Sequence, residues 1–292
     1  MISELAFKLV LAITFLAGIA LSEVVADQPS ARGLRGLVTF YASFDKSTTA
    51  DFGKGDLTLW TRYGNPGKGN TFVQHQVESD LIRIAPGGGV SGGGLEFVDV
   101  VPNDGFVFFP AEGKLGVKPG GWGGAMSMWL NGDLTKLKTE YCDPMQIIYR
   151  RYNNGAVWTD FTPDRPRDLR LGLFSTLPKG QTAREAPEAQ LPIARAKAPM
   201  IEPGKWHNLV LVWQNFDSGK PNASARLYLD GRQIAALENK NADMNWDLSQ
   251  ARIFLGAALI GRIDEVAIFS RTLIVDEVGL IANDPAMLAG LK

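Results

Sequence analysis

The stretch WHNLVLVWQNFDSGKPNASARLYLDGRQIAALE, Trp206 to Glu238, decides the fold class. From Trp206 onward, one set of alternate positions carries His207, Leu209, Leu211 and Trp213, and the other carries Trp206, Asn208, Val210 and Val212. A period of two with both faces mostly apolar describes a strand covered on both sides. The polar run NFDSGKPNAS then breaks the pattern, and Ala225, Leu227 and Leu229 resume it in alternation with Arg226 and Tyr228. Asp230-Gly231 follows, a pair that tolerates the positive φ required by the two-residue turns matching strand twist.

Similar strand signals extend in both directions. GLVTFYASFD (Gly36–Asp45), SGGGLEFVDV (Ser91–Val100) and GAMSMWLNGD (Gly124–Asp133) are short β-branched or aromatic runs closed by turn residues. MQIIYRRYNNGAVWTDFT predicts a hairpin, with strands Gln146–Tyr152 and Ala156–Phe161 around Asn153, Asn154 and Gly155. Two more strands are expected at Arg252–Leu255 and Gly261–Phe269. The period then changes, and Ile274, Val278 and Ile281 stand at helical spacing, predicting a short helix from about Ile274 to Ala282. No βαβ rhythm and no internal repeat occurs, so the expected fold class is all-β, an antiparallel sandwich with a short C-terminal helix.

The N-terminus pairs Lys8 with an uninterrupted apolar run from Leu9 to Leu21. That run fits a signal-peptide core better than a membrane span, which needs about 20 apolar residues, and the alternative is an uncleaved anchor. Val24 and Ala26 supply the small residues of a cleavage site. The expected organisation is a signal peptide over 1–26, a polar leader over 27–35, one sandwich over 36–283 and a tail over 284–292. Within the sandwich, residues 176–203 lose any sustained period and read as an exposed insertion between two strands. Localisation is expected to be secreted, periplasmic or cell-envelope, with no membrane span after signal cleavage.

Composition removes several function classes. A formal net charge of −1 over 292 residues offers no footprint for phosphate neutralisation, so nucleic acid is not an expected partner. Cys142 is the only cysteine, which forbids an internal disulfide, and it reads as a small buried hydrophobe. With only His75 and His207 beside it, no zinc spacing forms, and His207 is expected to be half-buried and bonded to backbone. The runs PGGGVSGGG and PGGWGG lack the Gly-Lys-Ser/Thr ending of a phosphate loop and read as connections between strands.

Several of these segments resemble one family. LVTFYASFDKSTTADFGKGD is similar to the opening of a laminin G-like jelly roll of the concanavalin A-like lectin/glucanase superfamily. SGGGLEFV and GAMSMWLNGD resemble its next strands. GKWHNLVLVWQ with ARLYLDGRQIA resembles its Trp-His strand and Tyr-x-Asp-Gly hairpin, and GRIDEVAIFSRTL its closing strand. The resemblance runs from about Gly36 to Asn283 and implies a jelly roll. Two departures stand out: the insertion over 176–203, and Ile274-Val275 where the family has a polar residue and proline.

The resemblance also implies a structural calcium, because related sandwiches hold one where the first and last strands meet. The ligands would be Asp45 and Asp264, with Asp51, Gly53 and Asp56 in a nearby turn, since calcium takes six to eight oxygens. The alternative is that Asp45 caps a turn and Asp264 is hydrogen-bonded to backbone across the seam. No Glu-x-Asp-x-Glu run of the superfamily's glycanases occurs, and Asp264 and Glu265 fall on opposite faces of a strand, so no catalytic residue is assigned.

For ligand binding, the best cluster of rings and planar polar groups is Arg151, Tyr152, Asn154, Trp158 and Asp160. The alternative has Trp158 in the core and the arginines on a solvated face. Trp60, Trp122 and Trp246 are further aromatics in loop-like contexts. The expected function is a non-enzymatic binding or scaffold module for a carbohydrate or an extracellular or envelope protein. A polysaccharide-active hydrolase or lyase of the same superfamily is the alternative.

Overall fold

The computed structural model describes residues 30–63, 73–77, 80–101, 105–183 and 186–291. The expected signal peptide, and the leader before Ser30, lie outside them. Two antiparallel sheets face each other, so the expected sandwich is observed. The first runs β15 (Arg232–Lys240), β14 (Ala223–Leu229), β13 (His207–Phe216), β8 (Trp122–Gly132), β17 (Gly261–Phe269), β1 (Val38–Ala42) and β2 (Phe52–Gly53). Off this path, β6 (Gly94–Phe97) pairs with β17, and β5 (Ile82–Ala85) pairs with β6. The second runs β12 (Ile193–Ala196), β11 (Leu169–Phe174), β10 (Asn154–Phe161), β9 (Asp143–Arg151), β16 (Arg252–Ala257), β7 (Phe106–Pro110), β3 (Trp60–Tyr63) and β4 (Val73–Gln76).

The Trp206–Glu238 stretch forms β13, β14 and most of β15. Register runs from Leu209 opposite Leu229 to Gln214 opposite Ser224. Asp230 and Gly231 both have positive φ, 49° and 78°, as the turn demands. The two apolar faces of β13 have separate destinations. Leu209, Leu211 and Trp213 enter the core between the sheets, whereas Val210 and Val212 join a second cluster on the outer face. That cluster is roofed by Val278 and Ile281 of helix α2 (Val275–Asn283), by Met287 and Leu288, and by Leu34 of helix α1 (Ala31–Arg35). Leu34 of the expected leader and Met287 and Leu288 of the expected tail thus pack on the sandwich, and Arg35 Nη1 donates to the carbonyls of Met287 and Ala289, both at 2.9 Å.

Helix α2 starts without a capping side chain at Ile274, which is 54% exposed and not on the buried face expected from its spacing. Glu277 reaches back instead, accepting from Ile274 N–H at 3.0 Å while Arg271 holds its carboxylate at 2.6 and 2.8 Å. Trp60 opens β3 and Trp122 opens β8, so neither is a loop aromatic, whereas Trp246 lies in an irregular segment as expected; Trp122 and Trp246 are both buried in the core. Trp122 meets Trp213, Phe216 and Trp246 edge-on, and its Nε1 donates to Asp217 at 2.7 Å.

The insertion over 176–203 is only partly a loop. Residues Ile193–Ala196 form edge strand β12 on β11, with Leu169 opposite Ala196. Arg195 fastens it, donating to Glu188 at 2.8 and 2.9 Å, to Asp168 at 2.9 Å and to Asp164 at 2.7 Å. Its charged residues, which hid a strand from a hydrophobic pattern, are the ones that pair.

A second hidden feature is Lys114, fully buried beside Phe40. Its ammonium donates to the carbonyls of Asp56 at 2.8 Å, Lys54 at 3.1 Å and Glu112 at 3.4 Å. Burial lowers its pKa from 10.5 to about 8. The Lys114→Met variant leaves those carbonyls without a donor and should lose about 3 kcal/mol of stability in urea at pH 7. Because the folded chain releases this proton more readily than the unfolded one, the wild type should gain stability relative to the variant as pH rises from 8 to 10.5. Parallel urea melts at pH 7.5 and 9.5 check both the loss and the sign.

Candidate functional site

Strand β17 changes partner along its length. Gly261–Ile263 pair with β6, Val266–Phe269 pair with β1, and the register against β8 shifts between Asp264 and Ala267. Glu265 carries the bulge, with a φ of 51°. Asp264 therefore sits in the fork, fully buried, and the glycine run between β5 and β6 closes over it. Its Oδ2 accepts from Val90 N–H at 2.8 Å and Ser91 N–H at 3.2 Å, while Asp45 Oδ1 accepts from Gly93 N–H at 2.9 Å. A Cβ at Gly89 would stand 2.4 Å from Asp264 Oδ2, and one at Gly92 would stand 1.9 Å from Asp45 Oδ1. The run that reads as a plain connection is a clamp that only glycine permits.

The two aspartates do converge on one loop, with the backbone hydrogen bonds that the alternative reading requires. One oxygen departs from it: Asp264 Oδ1 is buried with no hydrogen-bond partner. Burial, opposed by the loop N–H groups, raises this carboxyl from 3.8 to about 7. Among the described residues no group of three or more His, Cys, Asp or Glu is arranged to hold a metal ion, so a cation here would draw most of its ligands from carbonyls. The orphaned oxygen, the exposed Asp45 carboxylate and the Phe44 and Asp45 carbonyls beside Gly93 fit an oxygen-seeking ion. The turn over 51–56 is engaged elsewhere. Asp51 accepts from Ser43 N–H, Asp56 from Thr58 N–H and Trp60 Nε1, and the carbonyls of Lys54 and Asp56 face Lys114.

The hairpin cluster is a packed layer, not a recognition surface. Trp158 is fully buried, stacked between Tyr152 at 4.2 Å and Phe174 at 5.8 Å, with Nε1 donating to Tyr152 O. Asp160 is equally buried, receiving Arg170 Nε at 2.8 Å, Arg170 Nη2 at 2.6 Å and the Tyr152 hydroxyl. Asn154 is buried and accepts from Leu177 N–H. Only Arg151 is exposed, with Tyr152 half-buried, so neither Trp158 nor Asp160 can meet a ligand. The loop before β12 supplies the lid, through Leu191 and through Glu188 on Arg170 at 2.5 Å. Nearby, burial and the Asp160 charge push Asp143 up to about 8.

His207 is structural, as expected. Its Nε2 accepts from Glu202 N–H at 3.0 Å and its Nδ1 donates to Asp230 at 2.7 Å, tying the insertion to the hairpin turn. Cys142 is buried, and desolvation holds its thiol well above the ordinary value.

A groove of about 370 Å³ opens beside the fork. Four residues in register on adjacent strands cross the outer face of the first sheet there: Arg83 on β5, Glu96 on β6, Arg262 on β17 and Asn131 on β8. Their chain neighbours Ile82, Leu95, Phe97, Ile263 and Leu130 point into the core, which fixes these four outward. Glu96 accepts from Arg83 at 2.8 and 2.9 Å and from Arg262 at 2.8 and 3.0 Å. Arg262 foremost, then Arg83, hold its carboxyl below the usual range. Asn131 Nδ2 donates to Gly204 O at 3.1 Å, drawing the end of the insertion to the rim. A Cβ at Gly88 would meet Arg262 Cζ at 3.4 Å, so the clamp loop also forms the wall beside that guanidinium. No sequence window could show this row, because its members come from four strands whose pairing is set by the whole sheet.

Residues 159–279 match a laminin G family model described as the Concanavalin A-like lectin/glucanases superfamily. Among curated proteins none matches the chain in sequence. Among solved structures, the chain is similar to domain 4 of AbnA, a GH43 extracellular arabinanase from Geobacillus stearothermophilus, in complex with arabinotriose. Identity is 17% and TM-score 0.50, over 84% of this chain and 99% of that one. It is also similar to the binding domain of botulinum neurotoxin serotype C1, at 10% identity and TM-score 0.50, covering 86% of this chain and 52% of that one. The binding domain of Botulinum Neurotoxin DC in complex with SialylT gives 10% identity and TM-score 0.50, covering 87% and 52%. The chain thus spans about half the length of these toxin domains, and at such identities the likeness is one of fold. Over residues 159–279 the chain thus matches the laminin G-like model that its motifs resemble, and its two-sheet sandwich agrees with the jelly roll that the resemblance implies.

Proposed function

We propose that the chain is an exported, non-enzymatic carbohydrate-binding module whose saccharide site is the groove over β5, β6, β17 and β8. The observation that carries the reading is the in-register row Arg83, Glu96, Arg262 and Asn131. It sets planar donors and acceptors side by side on rigid strands above a glycine rim, Gly132 and Gly261. Saccharides are held by such planar polar groups, fixed before the ligand arrives. The arabinotriose and SialylT complexes of the similar folds support a sugar over a protein as the partner. Export rests on the N-terminal apolar run, and among the described residues no helix is long and apolar enough to cross a membrane.

A structural calcium belongs to this proposal. Asp45 and Asp264 would hold it together with loop carbonyls, and bound there it would neutralise the buried carboxylate and lock the glycine clamp against β17. Because Gly88 of that clamp abuts Arg262, a fixed clamp also fixes the groove wall. Asp160 is not free to serve as a glycosidase carboxylate, because it is buried and held by Arg170 on both oxygens.

Calcium chelation should lower the melting temperature of the wild type, and Asp264→Ala and Asp45→Ala should each remove that response. A melting curve that chelator leaves unchanged contradicts the metal. A glycan array read with and without chelator tests the ligand: binding to a subset of oligosaccharides, weakened by chelator, is expected. Release of reducing sugars or unsaturated products from mixed polysaccharides would establish an enzyme instead.

A further inference from the structure

We infer that the groove selects saccharides bearing a carboxylate, read by Arg83 and Arg262, with Glu96 as the positioning residue for both guanidinium groups. This rests on the carbohydrate-binding reading and names its ligand class. Two guanidinium groups share a single carboxylate, which leaves one positive charge on a chain whose overall charge is −1. The other charged pair at the rim, Lys136 with Asp133 at 3.4 Å, cancels itself.

Donor arithmetic agrees with the charge. Glu96 Oε2 takes Nε and Nη2 of Arg83, and its Oε1 takes Nε and Nη2 of Arg262. Each guanidinium therefore spends one edge on Glu96 and keeps Nη1 without a protein partner among the described residues. Both remain accessible, with side chains 59% and 40% exposed. A guanidinium edge matches a planar carboxylate, and held at both ends it loses little freedom on binding. Strands lie about 4.8 Å apart, so the four-residue row spans about 14 Å, the scale of a short oligosaccharide.

The test uses the full mature protein in calcium. Titration calorimetry is run with tetrasaccharides of galacturonate, of mannuronate and of hyaluronan, each beside its carboxyl-reduced form, in which the uronates have become neutral hexoses. At least one acidic form should bind about tenfold or more tighter than its reduced partner. Arg83→Gln, at a solvent-exposed position, should bring the acidic ligand down to the level of the reduced one, with an unchanged melting temperature. Glu96→Gln adds net positive charge to the groove, so a merely electrostatic role predicts tighter binding. A positioning role predicts weaker binding, and weaker binding is the expected result. Equal affinity for the acidic and reduced forms overturns the inference and leaves the carbohydrate reading intact. No heat with any saccharide of either kind overturns both.

Discussion

The structure depends on the fork at Asp264 and Glu265. One strand, β17, serves as the partner of β6 over its first residues and of β1 over its last, and a chain can do this only by interrupting its own ladder. The bulge at Glu265 is that interruption: Ile263 and Val266 both enter the core, so the extra residue leaves Asp264 and Glu265 on the same outer side, not on the opposite faces expected from strand alternation. Glu265 accepts from the Tyr41 hydroxyl at 2.7 Å and ties the fork to β1. Asp264 accepts from the glycine clamp and ties it to the β5–β6 hairpin. Desolvation raises both carboxyls, to about 8 and about 7, so the fork holds negative charge reluctantly. A cation on the orphaned Asp264 oxygen would relieve that cost, which gives the proposed calcium a physical reason beyond resemblance.

The groove follows from the same fork. Without the switch of partner, β6 and β5 would have no edge of β17 to join, and Arg83, Glu96 and Arg262 would not lie in one row. Elsewhere polar groups also substitute for what the apolar pattern does not provide. Lys114 ties together a turn with its ammonium, and Glu277 begins a helix that has no polar cap. Arg195 holds an edge strand that hydrophobic contact alone would leave loose.

Local pattern carried the β architecture well. Trp206–Glu238 reads as strand, loop, strand and primed turn, and each part is found, because burial on two faces and positive φ leave direct marks on residue type. Two kinds of feature stayed hidden. One is charge that works by pairing across the chain, as in β12, Lys114 and the Arg83–Arg262 row, whose meaning exists only once distant strands are side by side. The other is the difference between an aromatic beside a hairpin and an aromatic under it. Trp158 has the composition of a sugar platform, but Tyr152, Phe174 and the insertion cover it. The seam lay between these extremes, since Asp45 and Asp264 were legible as a pair, whereas the glycines that clamp them were not.

The proposed ligand site lies at the fork, on the outer face of the first sheet. Backbone amide chemical-shift mapping of the labelled protein with a bound oligosaccharide addresses it most directly. The largest changes are expected on Arg83, Glu96, Asn131, Arg262 and the clamp residues Gly88 to Gly93. Changes centred instead on Trp60, Phe106 and Arg252, on the outer face of the second sheet, would contradict this placement.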